Sequence, residues 1–469
     1  MSYVFEPLWV ELAVLAVAGV VFAADLFMGE KRGLGALGAM GLLGILVATF
    51  FVDVSGPALF DTYLADASSM YFKRVLLLAG FLGCVGSIDF VDEGFPKRQG
   101  EHYLLMLFSL VGMLLLTGAQ DLVLWVVGFE LAGIPLALMA AMRKDKRSAE
   151  AALKLFLAGA ASTAVTLYGI SFLWGLSGGS EFAGLAAVPL SPMFALGVLL
   201  VLGGIAYKIG VVPFHLWVAD TYEGAPAPAV AFMSVAPKIA VVASLARLLG
   251  GGLAEHSAIW VTPLVGLAIV TLVVGNLTAV TQKDARRLLA LSGVGHMGLM
   301  LLALAVGGTE AVAALMFYAL AYVVTNMGAF FSVGLVAERR GGRLTDFDGL
   351  IHSSPALAVA LLIFLFSLGG IPFLIGFWGK LVLFWAAWIG GYEWVVLLGV
   401  LLSVLALFYY LRLARAMYIH PAPEGDEGVE IGWPSLVAVG LCAALTVGLG
   451  LVPGPFVEAA LDAAATLAP

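Results

Sequence analysis

Long runs of apolar residues dominate this sequence, and short stretches with charges, prolines or glycines separate one run from the next. Most runs are about 20 residues long and lack the alternation of a barrel strand, so they predict membrane-spanning helices. About fourteen spans are predicted, near residues 8–28, 34–52, 70–90, 102–118, 122–142, 150–176, 192–212, 226–249, 258–280, 286–306, 310–336, 355–389, 394–418 and 434–452. The pattern predicts an all-α integral membrane protein embedded in a lipid bilayer.

The composition excludes several other classes of protein. Of 469 residues, 62% are hydrophobic and 12% are charged, whereas a soluble domain has about 25% charged residues. A net charge of −8 without a basic stripe argues against binding nucleic acid. Cys84 and Cys442 lie in separate apolar runs, with no spacing that suits zinc, an iron–sulfur cluster or haem. We therefore expect no metal, no cofactor and no redox centre in this chain.

The distribution of basic residues predicts the orientation in the membrane. Of 23 lysines and arginines, 16 fall in or beside the odd-numbered loops between the predicted spans. They are Lys31, Arg32, Lys97, Arg98, Arg143, Lys144, Lys146, Arg147, Lys283, Arg286, Arg287, Arg339, Arg340, Arg343, Arg412 and Arg415. Because positive loops stay in the cytoplasm, both termini are predicted to lie on the outer side.

The sequence also contains a weak internal repeat with an offset of about 162–163 residues. Gln120-Asp121 is echoed by Gln282-Lys283-Asp284, and Ser191-Pro192 by Ser354-Pro355. Chance similarity between apolar segments is the alternative explanation. The offset contains five spans, and an odd number predicts that the second copy is inverted, as in many secondary transporters.

Glycine and proline interrupt the seventh and twelfth spans at corresponding places, 210–213 and 369–372, which predicts two discontinuous helices. The alternative is that both residues are simply frequent in membrane helices. The predicted domains are an N-terminal three-helix segment (1–101), a first antiporter-like repeat (102–249), a second inverted repeat (258–418), and a C-terminal helix and tail (419–469).

Several ionisable residues lie inside the apolar runs, where a charge costs at least about 2.5–3.5 kcal/mol. The candidates for proton translocation are Glu130, Lys208, Lys238, Lys380 and His296, with Lys154 and His215 as further possibilities. Burial favours the neutral form of a lysine and of a glutamate, whereas pairing favours the charged forms. A lysine balanced between the two can load and release a proton as its partner moves.

Structural roles compete with function at each of these positions. The lysines and Glu130 can form fixed ion pairs, and Lys154 can pair with Glu150 or extend its ammonium to the interface. His296 can be an ordinary core histidine, and His215 can cap an interrupted helix.

Four stretches resemble the antiporter-like subunits of bacterial respiratory complex I, the proton-pumping NADH–quinone oxidoreductase. They are EAALKLFLAGAAS (150–162), VVPFHLWVADTYEGAPAPAVAFMSVAPKIA (211–240), TQKDARRLLALSGVGHMG (281–298) and SLGGIPFLIGFWGKLVLF (367–384). The resemblance covers at least 102–420 and is strongest to subunit N, since subunit M typically has a glutamate at the position of Lys380. Ala219 and Gly293 depart from the family, which usually has proline and serine there.

The resemblance implies a role for each candidate residue. Glu130 and Lys208 would be the acid–lysine pair of spans five and seven, and Lys238 would relay protons towards the centre. His296 would belong to the central hydrated axis, and Lys380 would be the terminal lysine of the second half-channel.

The resemblance also implies a setting for the chain. It would be a translocase subunit in the bacterial cytoplasmic membrane, beside subunits M and K, with NADH, FMN, iron–sulfur clusters and quinone held in partner subunits and the hydrophilic arm. The alternatives are a subunit of an Mrp-type cation/proton antiporter, a subunit of a membrane-bound hydrogenase, and a purely structural subunit.

Overall fold

Helices account for nearly all regular structure in this computed structural model, which describes residues 5–29, 31–423 and 428–467. The first eleven helices are α1 Trp9–Phe27, α2 Leu34–Ala48, α3 Ala67–Gly94, α4 Gln99–Gly118, α5 Leu122–Ala140, α6 Lys146–Ser177, α7 Phe182–Ala186, α8 Pro192–Ile209, α9 Leu216–Gly224, α10 Ala227–Met233 and α11 Ala236–Arg247. The remaining helices are α12 Ser257–Val280, α13 Ala285–Val306, α14 Gly308–Arg339, α15 Leu350–Ser353, α16 Pro355–Gly369, α17 Ile375–Ile389, α18 Glu393–Tyr418, α19 Trp433–Leu451 and α20 Gly454–Ala464. A small antiparallel hairpin pairs β1 (Gly56–Ala58) with β2 (Tyr63–Ala65).

Twelve helical segments in the described part of the chain are long and apolar enough to cross a membrane. This confirms a helical, multi-pass membrane protein, whereas the number fourteen stays a prediction. The difference arises because α2, α16 and α17 have only 15 residues each, although all three are apolar.

Two helices begin with the same aspartate cap. The Asp121 carboxylate accepts hydrogen bonds from the backbone amides two and three residues further on, at 2.8 and 3.0 Å. Asp284 does the same at 2.8 and 3.2 Å, so each carboxylate satisfies two amides that have no partner within the helix. Each aspartate also forms an isolated antiparallel bridge with a later loop, at Glu181 and Arg343 respectively.

Two further helices end in the left-handed conformation that suits glycine. α8 is followed by Gly210 at φ +69°, and α9 begins only at residue 216. α16 is followed by Gly370 at φ +90°, and α17 begins at residue 375. A side chain at φ near these values is strained, so glycine is required at both breaks.

The loops collect at two opposite ends of the bundle, which we name after their capping aspartates. At the Asp121 end, the amide of Gln120 donates to the Thr62 carbonyl at 2.8 Å. At the Asp284 end, the amide of Ala285 donates to the Gly342 carbonyl at 2.7 Å. Arg143, which follows α5, forms an ion pair with Glu338 in the last turn of α14 and so belongs to the Asp284 end. Since α5 runs from Asp121 towards Arg143, the two capped helices start at opposite ends of the bundle.

Burial separates central from peripheral helices. In the most apolar part of α13, 94% of residues are buried, and α14 and the α10–α11 segment are similar. The corresponding share is 22% in α6, which lies at the edge of the bundle. Residues on α11 and α13 are therefore enclosed by protein, whereas those on α6 lie near the outer surface of this chain.

Candidate functional site

Three side chains from three helices meet at the first ionisable site. The Lys208 ammonium on α8 lies 3.1 Å from Glu130 Oε1 on α5. Thr163 on α6 donates its hydroxyl to the same Glu130 oxygen at 2.6 Å and accepts a hydrogen bond from Lys208 Nζ at 3.0 Å. The glutamate and the lysine are predicted from the sequence, whereas the threonine becomes visible only in the structure.

Local structure explains why these groups meet. Lys208 lies in the last turn of α8, where the helix dipole favours a cation, and Gly210 ends the helix just beyond it. α6 and α8 lie close together because the Ser162 hydroxyl donates to the Gly204 carbonyl at 2.6 Å. Small residues at a crossing allow this approach in membrane helices.

A cavity with about 820 Å³ of empty space, its open mouth included, adjoins this pair. Its wall is mostly apolar and includes Phe156 and Gly159 of α6 and Trp217 of α9. The Glu130 side chain remains 36% exposed and Lys208 14% exposed. The pair is thus accessible from the edge of this chain and is not sealed in its centre.

Lys238 lies at the centre of the bundle and is 1% exposed. Among the described residues, its ammonium has no hydrogen-bond partner, and it lies 5.5 Å from the centre of the Tyr222 ring. A Cβ atom added at Gly293 would lie 3.4 Å from this ammonium and 2.9 Å from the Tyr322 hydroxyl. The missing side chain at Gly293 therefore leaves space between the lysine and the tyrosine.

His296 on α13 is held by two tyrosines. Its Nδ1 lies 2.5 Å from the Tyr318 hydroxyl, and its Nε2 lies 3.3 Å from the Tyr410 hydroxyl. The Tyr410 hydroxyl is also 2.6 Å from the Ser292 hydroxyl. Both ring nitrogens are thus in contact with groups that can give or take a proton.

Lys380 on α17 lies at the second helix break. Its ammonium donates to the carbonyls of Leu368 at 2.7 Å and Gly369 at 3.3 Å, which belong to the last turn of α16. Two small cavities are each lined by both Lys380 and His296. The Tyr322 ring, which lies near Lys238 across Gly293, is 5.5 Å from the His296 ring. The structure therefore brings Lys238, His296 and Lys380 into one polar row.

Lys154 and His215 lie apart from this row, near the Asp284 end. The Lys154 ammonium contacts Glu150 at 2.6 Å and Asp220 on α9 at 2.7 Å. Arg287 on α13 binds the same Asp220 at 2.8 Å and also Glu223 at 2.8 Å. We refer to these five side chains as the α9 ion cluster. His215 is half-buried and precedes α9, and its Nδ1 has no hydrogen-bond partner among the described residues.

A buried ion pair lies outside all the predicted positions. Lys73 on α3 is fully buried, and its ammonium lies 3.1 Å from the Glu11 carboxylate on α1. Glu11 also accepts a hydrogen bond from the Tyr63 hydroxyl at 2.7 Å. The sequence contains one weak signal for this pair, a charge in each of two apolar runs.

In the described ranges, no group of three or more histidine, cysteine or acidic side chains is arranged to hold a metal ion. The ionisable side chains at the sites described above are those of lysine, glutamate, histidine and tyrosine. These groups transfer protons and form hydrogen bonds.

Comparison with known proteins defines the class of membrane protein to which this fold belongs. A family described as NADH:quinone oxidoreductase/Mrp antiporter, TM, matches residues 119–406. A chain of the Mrp complex from Dietzia sp. DQ12-45-1b superposes with a TM-score of 0.86 at 21% identity, covering 98% of this chain and 96% of that chain. This second likeness shows the fold alone.

Two further relatives identify one family within this class of membrane protein. NADH-quinone oxidoreductase subunit N of Moorella thermoacetica is 37% identical over 443 residues, covering 93% of each chain. A chain of respiratory complex I from Thermus thermophilus superposes with a TM-score of 0.81 at 30% identity, covering 96% of this chain and 98% of that chain. The chain belongs to the NADH-quinone oxidoreductase subunit N family, which confirms the resemblance found in the sequence.

Proposed function

We propose that the chain translocates protons through Glu130, Lys208, Lys238, His296 and Lys380, as a subunit of NADH–quinone oxidoreductase driven by quinone reduction in other subunits. The observation that carries this proposal is the Glu130–Lys208 contact of 3.1 Å beside a cavity in an apolar bundle. Lys154 and His215 would serve proton uptake, because both lie towards the Asp284 end.

The energies involved support this role. Moving one proton against a potential of about 150 mV costs roughly 3.5 kcal/mol, at about 2.3 kcal/mol per 100 mV. A charge that loses its partner inside the membrane costs at least about 2.5–3.5 kcal/mol. Opening the Glu130–Lys208 contact therefore costs free energy of the size needed to control one proton transfer.

We further propose fourteen spans with two inverted repeats, an N-terminal segment (1–101), and a C-terminal helix and tail (419–469). Matching helices support the repeats at 102–249 and 258–418. α6 and α14 have 32 residues each and start 162 residues apart, at Lys146 and Gly308. The two aspartate caps at opposite ends of the bundle, and the two glycine-terminated breaks, support the inversion and the discontinuous helices.

The proposed setting is a bacterial cytoplasmic membrane with the Asp284 end in the cytoplasm, because arginines concentrate there, and with both termini outside. The proposed neighbours are subunits M and K. NADH, FMN, the iron–sulfur clusters and quinone would belong to partner subunits, and this chain would carry no redox centre. The fold it shares with the Mrp complex supports a cation/proton antiporter subunit as the second candidate function, with a membrane-bound hydrogenase subunit as a variant.

The test is the variant Lys208→Ala in the assembled complex. We expect electron transfer to continue while fewer protons are moved per electron. A pH-sensitive dye in membrane vesicles measures this ratio of protons to electrons. Lys97→Ala, which removes an exposed lysine from a loop, is the matched control and should leave the ratio unchanged. A wild-type ratio in Lys208→Ala would refute the proposal. A lower abundance of complex with unchanged turnover per complex would instead indicate a structural subunit.

A further inference from the structure

The Thr163 hydroxyl lies between the two charges of the first ionisable site. It donates to Glu130 at 2.6 Å and accepts from Lys208 at 3.0 Å, while the two charged groups are 3.1 Å apart. A hydroxyl has one proton to donate and two lone pairs to accept with, so both contacts can exist together. Thr163 is thus hydrogen-bonded to both members of the pair.

The helix that carries Thr163 is fixed against the helix that carries Lys208. The neighbouring residue, Ser162, is bonded to the Gly204 carbonyl, and Gly169 two turns further on packs closely against α8. A Cβ atom at Gly169 would lie 2.8 Å from the Gly197 carbonyl oxygen, so the backbones are in contact there. The β-branched threonine side chain also has few rotamers in a helix. The hydroxyl therefore has few positions open to it, and its hydrogen bonds to Glu130 and Lys208 select one of them.

We infer that Thr163 is a positioning residue for the Glu130–Lys208 pair, an inference that rests on the proposed function. Its hydroxyl holds the carboxylate in reach of the ammonium. It also remains as a partner for Glu130 when Lys208 moves away or becomes neutral. Removing it leaves the carboxylate free to turn into the adjacent cavity, so the distance between the charges is no longer fixed when a proton is transferred.

Thr163→Val tests this inference, because valine keeps the branched shape and removes only the hydroxyl. We expect turnover per assembled complex to fall about tenfold, the effect of losing one hydrogen bond to a charged group. We also expect the pH profile of turnover to shift, which a loss of packing alone would not cause. Thr163→Ser retains the hydroxyl and should restore most of the turnover.

Ser171→Ala is the matched control. Ser171 lies two turns along α6, is exposed, and donates its hydroxyl to the Tyr168 carbonyl of its own helix at 2.7 Å. The assembled complex is quantified on native gels before NADH–quinone turnover is measured across pH. Equal turnover and equal pH profiles in Thr163→Val and Ser171→Ala would overturn the inference.

The result for Lys208→Ala separates the two proposals. If Lys208→Ala loses pumping while Thr163→Val behaves like the control, the positioning role is wrong and the proposed function stands. If Lys208→Ala pumps normally, the proposed function fails, and the positioning role fails with it.

Discussion

Adjacent glycines in α8 have opposite surroundings. A Cβ atom at Gly204 would collide with the Thr166 hydroxyl and lie 2.8 Å from the Ser162 carbonyl oxygen, whereas Gly203 has nothing within 4 Å. The crossing of α6 and α8 therefore depends on one glycine of the pair. This crossing sets the distance between Thr163 and Lys208.

We predict that Gly204→Ala destabilises the assembled complex by about 1–3 kcal/mol, the usual cost of overpacking. Gly203→Ala should be neutral or slightly stabilising, because alanine is the better helix former. Thermal unfolding of the purified complex measures both. Equal melting temperatures for the two variants would contradict the close packing described here.

At the level of single residues, the sequence singled out several ionisable groups within apolar helices, but it missed the pair of Lys73 and Glu11 and predicted few of the contacts. The sequence points to Lys208, Lys238 and Lys380 because a lysine inside an apolar run costs free energy, which suggests that it has a function. Thr163 gives no such signal, since a threonine bonds its own helix backbone as readily as a neighbouring side chain. The sequence gives no signal for the tyrosines beside His296 either, because tyrosine is common in membrane proteins and its partner depends on tertiary packing.

Among the helices, α9 is the one whose position depends most visibly on charges. It has nine residues, follows a break, and carries Asp220, which contacts both Lys154 on α6 and Arg287 on α13. One turn earlier, the Trp217 indole donates to the Tyr207 carbonyl at 3.2 Å, beside Lys208. A shift of α9 would therefore move a wall of the cavity at the first ionisable site.

We predict that Asp220→Asn lowers turnover per complex at least threefold, because α9 then loses the carboxylate that links it to both α6 and α13. Glu223→Gln is the matched control, since Glu223 contacts only Arg287 within the α9 ion cluster and Asp220 still links the helices. NADH–quinone turnover of membranes with equal amounts of complex measures the effect. A larger loss in Glu223→Gln than in Asp220→Asn would show that the bridge is not what holds α9.

Helix positions were largely predictable, and interruptions in them less so. The span predicted at 286–306 corresponds to α13 at 285–306, because an apolar run between charges defines a membrane helix well. The segment predicted as one span at 226–249 contains two helices, α10 and α11, and Pro237 lies near the start of α11. A proline early in a helix is compatible with either arrangement, so the pattern alone did not predict the interruption.

For the molecule as a whole, two buried lysines make opposite contributions to stability. Lys238 is enclosed without a hydrogen-bond partner in the described part of the chain, whereas Lys73 is enclosed beside Glu11. An enclosed cation without a partner destabilises a fold, and a protein keeps such a residue only for another reason. Removing one member of a buried pair leaves the other charge uncompensated.

We predict that Lys238→Met raises the melting temperature of the complex and abolishes proton translocation. Lys73→Met should lower the stability by about 3–5 kcal/mol, because Glu11 would remain buried without its partner. Calorimetry of the purified complexes, together with proton uptake by vesicles, tests the pair. A lower melting temperature for Lys238→Met would mean that its ammonium has a partner in the membrane.

The exposure of α6 has a consequence for anyone who extracts this protein. Only 22% of the residues in the most apolar part of α6 are buried within this chain, yet this helix supplies Thr163 and part of the cavity wall. Whatever lies against α6 in the membrane, annular phospholipid or a neighbouring protein, completes the enclosure of a charged pair. Harsh detergents that strip this outer layer would let bulk water reach Glu130 while every helix remains folded. Such a preparation would retain its helical circular-dichroism spectrum and its melting transition. It would nevertheless have lost the exclusion of water from the charged pair that coupled transport requires.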